Sequence, residues 1–389
     1  MFNKHALAAA AAAALIATLA APAAHAAKVG GVTIDGWVLF ESWTDKHSYR
    51  EGQTGGPGNE PNVFTLHNIN FHNEGNLDDG LAYSWKVATR NRNGNFGNSG
   101  ATGWREAYLG LEGKFGAVKF GRFLTKGWEV LDWPYGSPFW LAESLAETGA
   151  ADWVTTRAIR YTAPMLADGL EIEGTYDVGQ TAANAKARLY ELFARYSLGP
   201  LALDAVVQRK NDAPTGLGVG EFGADGQPTP TPGQHQGIYF LGARYNAGNG
   251  LDFTFGYKRN EWHADSGGVL NGFNWNPGRP ATVGTDVKNS RILAGATYRW
   301  DKWRLSGAFE KVTEGKDNVA GGLNDGAKIL GLQFARELGR GAIAYLGLRH
   351  TKFDGANIPV DSFTWQVQNP WMAATKSNTR IGIGAWVPF

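Results

Sequence analysis

The stretch Leu251-Asp252-Phe253-Thr254-Phe255-Gly256-Tyr257-Lys258 puts Leu251, Phe253, Phe255 and Tyr257 on one side and Asp252, Thr254, Gly256 and Lys258 on the other. Successive side chains of a strand point to opposite faces, so this is the period of a strand with two unlike faces, and helical spacing does not fit it. Ile292, Ala294, Ala296 and Tyr298 alternate in the same way with Arg291, Leu293, Gly295, Thr297 and Arg299. At the chain end Ile381, Ile383, Ala385, Val387 and Phe389 share one face, while Arg380, Gly382, Gly384 and Trp386 share the other. One face is apolar and the other small or polar.

Working outward from these strands, tight turns rich in Gly, Asn, Asp and Pro fall near residues 73–80, 112–116, 164–169, 197–200, 247–250, 300–302 and 339–341. Long polar segments lie between them, near 43–61, 90–104, 123–157, 177–187, 211–237, 263–290, 313–327 and 354–378. Seven short and eight long connections alternate, and fifteen connections join sixteen strands. An even number returns the last strand to the side of the first, as a closed antiparallel barrel requires. A sheet that wide cannot lie open without exposed edges. Short turns on one rim, long loops on the other and an outward apolar band are the pattern of an outer-membrane barrel. Within lipid, closure is what pairs every backbone amide of a sheet.

Composition agrees. The 389 residues include no cysteine, which excludes disulfides, thiolate metal sites and cysteine nucleophiles. The 53 glycines are about twice the usual share, and the formal charge of +1 offers no basic footprint for nucleic acid. Residues 1–26 read as an export signal: Lys4 and His5, an alanine-rich stretch from Ala6 to Ala24, and the cleavable pattern Ala24-His25-Ala26. The remainder, 27–389, is then a single barrel domain and formally neutral. It holds no apolar run long enough for a membrane-spanning helix. Trp37, Trp43, Tyr83, Trp85, Tyr108, Tyr196, Tyr298, Trp300, Trp303 and Trp386 sit near strand ends, where interfacial girdles are expected. An exported soluble β-rich binding protein is the competing reading, but no repeat of propeller length is visible.

The hairpin from Ala107 to Arg122, with Gly113-Lys114-Phe115-Gly116 at its turn, resembles the fourth and fifth strands of general Gram-negative porins, especially those of β-proteobacterial type. Val32-Thr33-Ile34-Asp35-Gly36 resembles that family's first strand. Asn76-Leu77-Asp78-Asp79-Gly80-Leu81 is similar to its first periplasmic turn, and Arg157 to Pro164 to its sixth strand. The resemblance implies a homotrimer of sixteen-stranded transmembrane barrels with short periplasmic turns, long extracellular loops and a third loop, here 123–157, folded inward as the constriction. It implies passive diffusion of ions and small hydrophilic solutes, with no cofactor, and a terminal Phe389 read by the barrel-assembly machinery. Two departures stand out. Asn68 occupies a second-strand position where the family often has arginine, and the third loop lacks a Pro-Glu-Phe-Gly motif. Selectivity does not carry over, and a solute-specific channel for a sugar or organic anion stays open.

A pore sorts solutes by diameter and by charge at its narrowest point. The third loop carries the acids Glu129, Asp132, Glu143, Glu147 and Asp152. By the resemblance Arg122 and Arg160 stand on the opposing wall; Lys86 joins them by alternation, and Arg157 sits at the strand entrance. Simple alternation puts Arg122 on the face of Phe120. The loop aromatics Trp128, Trp133 and Trp140 either stack on flat solutes or pack the loop onto the wall. No metal-ligand spacing, H-E-x-x-H or G-x-S-x-G motif is present, so no catalytic residue or metal site is expected.

Overall fold

A computed structural model describes residues 27–29, 31–49, 61–94, 102–136, 154–179, 181–182, 185–212, 233–264, 286–318, 321–355 and 375–389. The proposed signal segment, 1–26, lies outside them. Sixteen long strands make the wall: β1 Val32–Tyr49, β2 Asn62–Asn76, β3 Ala82–Gly94, β4 Thr102–Gly113, β5 Gly116–Arg122, β6 Ala158–Thr162, β7 Leu170–Asp177 and β8 Leu189–Leu198. They continue as β9 Leu201–Asn211, β10 Gln234–Gly248, β11 Leu251–Ala264, β12 Asp286–Trp300, β13 Trp303–Val312, β14 Ala327–Gly339, β15 Ala342–Phe353 and β16 Thr375–Pro388. Each pairs antiparallel with its sequence neighbours, and β16 returns to β1 from Trp37↔Pro388 to Tyr49↔Thr375. The Phe389 and Gly36 backbones finish the seam with reciprocal hydrogen bonds of 2.9 and 3.0 Å.

The seven short connections fall where the turn residues place them. Asn249-Gly250 and Arg340-Gly341 adopt positive φ at both positions, the backbone of two-residue hairpins whose twist suits the flanking strands. The strands run further into the long connections than the alternation alone suggests: β1 extends to Tyr49 and β11 to Ala264.

The outward face is the apolar one. Leu241, Phe255, Leu330 and Ile381 are all at least half exposed on it, which in a barrel of this kind means exposed to hydrocarbon. Tyr298 stacks on Trp300, and Trp303 on Phe334, at the short-turn end of this band, where an aromatic girdle belongs. Four aromatics expected there belong elsewhere. Trp37, Trp43, Tyr108 and Trp386 are on the inner face: Arg90 lies over Trp37, Arg380 over Trp43 and Lys119 over Tyr108, and Trp386 is the register partner of the inward Leu39. The reason is parity, since Val38 and Phe40, between Trp37 and Glu41, take the lipid side.

Candidate pore constriction

The chain after β5 turns into the barrel and forms a helix, α1 Lys126–Gly136. Thr125 caps it, its Oγ1 accepting the Trp128 N–H at 3.1 Å. The first free amides point at a strand rather than at water: the Glu191 carboxylate accepts Lys126 N–H at 2.7 Å and Gly127 N–H at 2.8 Å. A buried anion at a helix N-terminus satisfies orphan donors and favours the dipole. Gln208 Nε2 donates to the same carboxylate at 2.9 Å.

One side of α1 is apolar, with Trp128, Leu131 and Tyr135 at helical spacing. These pack into a cluster with Phe193, Val206, Ile238, Phe240, Trp262 and Leu293 on the inner faces of β8 to β12. Inward-facing apolar side chains are unusual in a water-filled lumen, and here they make a seat. The Tyr135 ring meets Phe240 edge-on at 4.8 Å, and its hydroxyl donates to Asp204 at 2.6 Å. Burial first, and Asp204 second, hold that hydroxyl well above the usual tyrosine range, so it remains a donor. Arg195 and Arg244 complete the group on Asp204 at 2.6 and 3.2 Å.

The charged edge of the helix meets β6. Arg160, 3% exposed, donates to Glu129 at 3.1 Å, to Thr175 at 2.9 Å and to the Leu124 carbonyl at 2.8 Å. Lys126 reaches Glu173 at 3.1 Å and Glu171 at 3.3 Å. Enclosure by the barrel pushes the Glu129 carboxyl above its ordinary value, against the pull of Arg160 and Lys126. Its side chain keeps 35% exposure to lumen water, which limits that push.

Lys86, on the inner face of β3, pairs with Glu106 at 2.6 Å. Between this pair and Arg160 stands Lys119, the register partner of Arg160 and within electrostatic reach of Glu106 and Glu129. Lys86, Glu106, Lys119, Glu129 and Arg160 thus form one belt. Arg122 is opposite Ala107 in the ladder, the register face of Phe120. Arg157 stands apart at the loop mouth, donating to the Gly179 carbonyl. Asp132 is one helical turn beyond Glu129 and half-buried.

Trp128 is 4% exposed and belongs to the seat, so its ring is occupied in packing and is not offered to a solute. The Trp133 side chain, and Trp140, Glu143, Glu147 and Asp152 altogether, lie outside the described residues. Sequence reasoning missed Lys119, although its alternation with Val118 and Phe120 marks it as inward. Glu191 and Arg195 were legible by the same parity, because Tyr190, Leu192 and Tyr196 are all apolar. Away from the seat, the inner wall carries Arg304, Arg349, Arg380 and Arg90. Arg380 is neutralised by Asp45 through two bonds of 2.8 Å, and Glu41 accepts from Tyr345.

Comparison with known proteins matches this architecture. The anion-selective porin of Comamonas acidovorans superposes with a TM-score of 0.63 at 16% identity, over 92% of this chain and 99% of that one. OmpT of Vibrio cholerae gives 0.62 at 18%, over 94% and 100%. The chitoporin of Vibrio furnissii is 31% identical over 125 residues, 28% of this chain and 32% of its own length, so the chain matches about a third of that relative. The Gram-negative porin family profile matches residues 8–356. Family and fold point to a channel rather than an enzyme, and the chain belongs to the Gram-negative porins, integral β-barrels of the outer membrane.

Proposed function

We propose that this barrel is a water-filled channel for passive diffusion of ions and small hydrophilic solutes, working without cofactor or catalysis. The observation that carries the reading is the seat. Apolar packing seats α1 against β8 to β12; on this reading solutes pass between its Glu129 edge and the walls bearing Lys119, Lys86, Arg90, Arg349 and Arg304. Acids facing bases across such a path set up a transverse field that orients dipolar solutes and disfavours apolar ones. The belt also holds the loop in place, so a pinned loop and a charged constriction are the same structure. The single domain of 27–389, the constriction role of 123–157 and recognition of Phe389 by the assembly machinery belong to this reading. So does a homotrimer, a form in which OmpT of Vibrio cholerae is described.

A planar bilayer tests it. Stepwise openings in symmetric salt, grouped in threes, support the trimeric channel, and a folded preparation that never conducts overturns it. The partial match to a chitoporin favours one second reading, a preference for sugars. Liposome swelling with chitooligosaccharides against equal-sized neutral sugars separates the two.

A further inference from the structure

The apolar seat of α1 does not end at the barrel wall. Beyond β13 the chain continues the wall past the long-loop rim: Thr313 N–H donates to the Ser290 carbonyl at 2.8 Å, and Lys316 and Asp317 are register partners of Lys288 and Val287 of β12. The return limb Gly321–Gly322 pairs with Lys316–Asp317, and Leu323 N–H closes on the Gly315 carbonyl at 2.9 Å. A hairpin that stands above a pore in water should be polar, and Glu314, Lys316, Asn318 and Asn324 are exposed on it as expected. Leu323 departs from that rule. It is 7% exposed and belongs to the buried cluster that holds Trp128, Val130 and Leu131 of α1 together with Trp262, Val287 and Leu293 of the wall.

The hairpin is built around that one leucine. Gly315 makes room for it, since a Cβ there would stand 2.7 Å from Leu323 Cδ1. Fully buried Asp325 accepts the Gly315 N–H at 2.6 Å, and Glu314 accepts the Asn324 N–H at 2.7 Å, so the chain just after Leu323 is tied to the outgoing limb. Asp354, following β15, donates its N–H to the Gly326 carbonyl at 2.8 Å and fixes the hairpin on its other side. Directly below, Arg291 and Glu310 pair at 2.7 Å with neither side chain exposed, so lumen water does not reach the wall there. Seat and hairpin are dry on the same side of the barrel.

We infer that Leu323 is a positioning residue for the constriction: through the shared cluster the seventh long connection holds α1 from the extracellular side. The edge that carries Glu129 is then placed by an extracellular loop as well as by the wall. Apolar area buried in common is lost to both elements when either one leaves, so the hairpin and α1 open together as one cooperative unit. The inference rests on the seat and not on which solutes pass.

Hydrogen exchange in the folded, detergent-held full chain provides the test. Leu323→Ala should speed exchange of the α1 amides at least about tenfold, while the ladder amides of β13 and β14 do not change. Leu323→Met keeps the apolar volume and should stay within about threefold of the parent. Gly315→Ala crowds the leucine without shortening it and should also speed α1, so the measurement stands even if Leu323→Ala fails to give a folded barrel on unboiled gels. Lys316→Gln, exposed on the same hairpin, should leave α1 as it is. In a planar bilayer Leu323→Ala should give noisier openings and Leu323→Met should not. Faster exchange confined to the hairpin, with α1 within about threefold of the parent, overturns the inference, because Leu323 then steadies only its own loop. An equal effect of Lys316→Gln on α1 overturns it as well, by making any disturbance of the hairpin sufficient. Exchange is read without current, so a preparation that never conducts sinks the channel reading and leaves this one to be decided by α1.

Discussion

Replacing Glu191 by alanine should release α1 from the wall without opening the barrel. Glu191 is almost fully buried and its carboxylate holds two helix amides and Gln208 at 2.7, 2.8 and 2.9 Å, with Arg160 at 3.5 Å. Hydrogen bonds to a charged group contribute about 1.5–3 kcal/mol each, so the three short ones gross at least about 4.5 kcal/mol. The variant also removes the cost of keeping a carboxylate out of water, which offsets part of that sum. A net loss of about 3 kcal/mol remains, roughly a hundredfold in the equilibrium between seated and released helix. The strand itself keeps its ladder bonds to β7 and β9. Hydrogen exchange in the folded, detergent-held protein reads the effect: amides of α1 should exchange about a hundredfold faster than in the parent while those of β8 and β9 do not change. Single-channel traces should become noisier by the same cause. Glu191→Gln should fall between, because one amide oxygen still accepts while its NH2 group faces donors. If α1 exchanges within about threefold of the parent in the alanine variant, the carboxylate clamp does not hold the helix and the estimate is wrong in kind.

Leu131→Ala empties a fully buried place in the apolar seat and should cost about 2–5 kcal/mol locally, seen as faster α1 exchange with unchanged gel mobility of the unboiled barrel. Because the Glu129 carboxyl is held above its ordinary value, it loses its charge first as pH falls, starting above the usual glutamate range. The reversal potential should therefore move toward anions on acidification, and Glu129→Gln should show that anion-shifted value at neutral pH with a flatter pH profile. Arg349→Ala removes a basic wall charge and should move the reversal potential toward cations. Gly36→Ala places a methyl 2.1 Å from the Asn68 carbonyl oxygen and 2.7 Å from the Phe389 ring. It should lower the yield of heat-modifiable barrel on gels, and an unchanged yield would separate the seam from folding.

The lipid face was legible because hydrocarbon imposes one rule on every strand: Phe253 and Phe255, or Ile381 and Ile383, take the outside wherever they occur. Turn chemistry placed the seven short connections for an equally local reason. The inner face obeys no such rule. Trp43 sits near a strand end, where a girdle is expected, yet is lumenal by parity, as is Phe193, because a lumen that receives a helix needs apolar surface of its own. Likewise Arg160 and Glu191 are recognisable as inward, but their partnership joins β6, β8 and a loop whose path strand periodicity does not determine. Lys119 was legible to alternation and not to resemblance. Parity favours Lys119, and Lys119 is the cation beside Arg160.

Seating the helix on carbon and aiming it with charge divides two tasks that ion pairs alone would confuse. In about 0.1 M salt, exposed charges more than about 10 Å apart are largely screened, so a loop held by water-facing pairs would loosen whenever external salt rose. The seat formed by Leu131, Tyr135, Phe193 and Phe240 does not depend on ionic strength in that way, and Arg160 and Glu191 are sheltered from it by burial. The charges that do meet water, Glu129 at the helix edge among them, are then free to respond to salt and pH as filters without moving the loop that carries them. It follows that permeability should vary with ionic strength through selectivity before it varies through conductance noise. A channel whose noise rises first with salt would place the loop's anchorage in exposed pairs instead of in the seat.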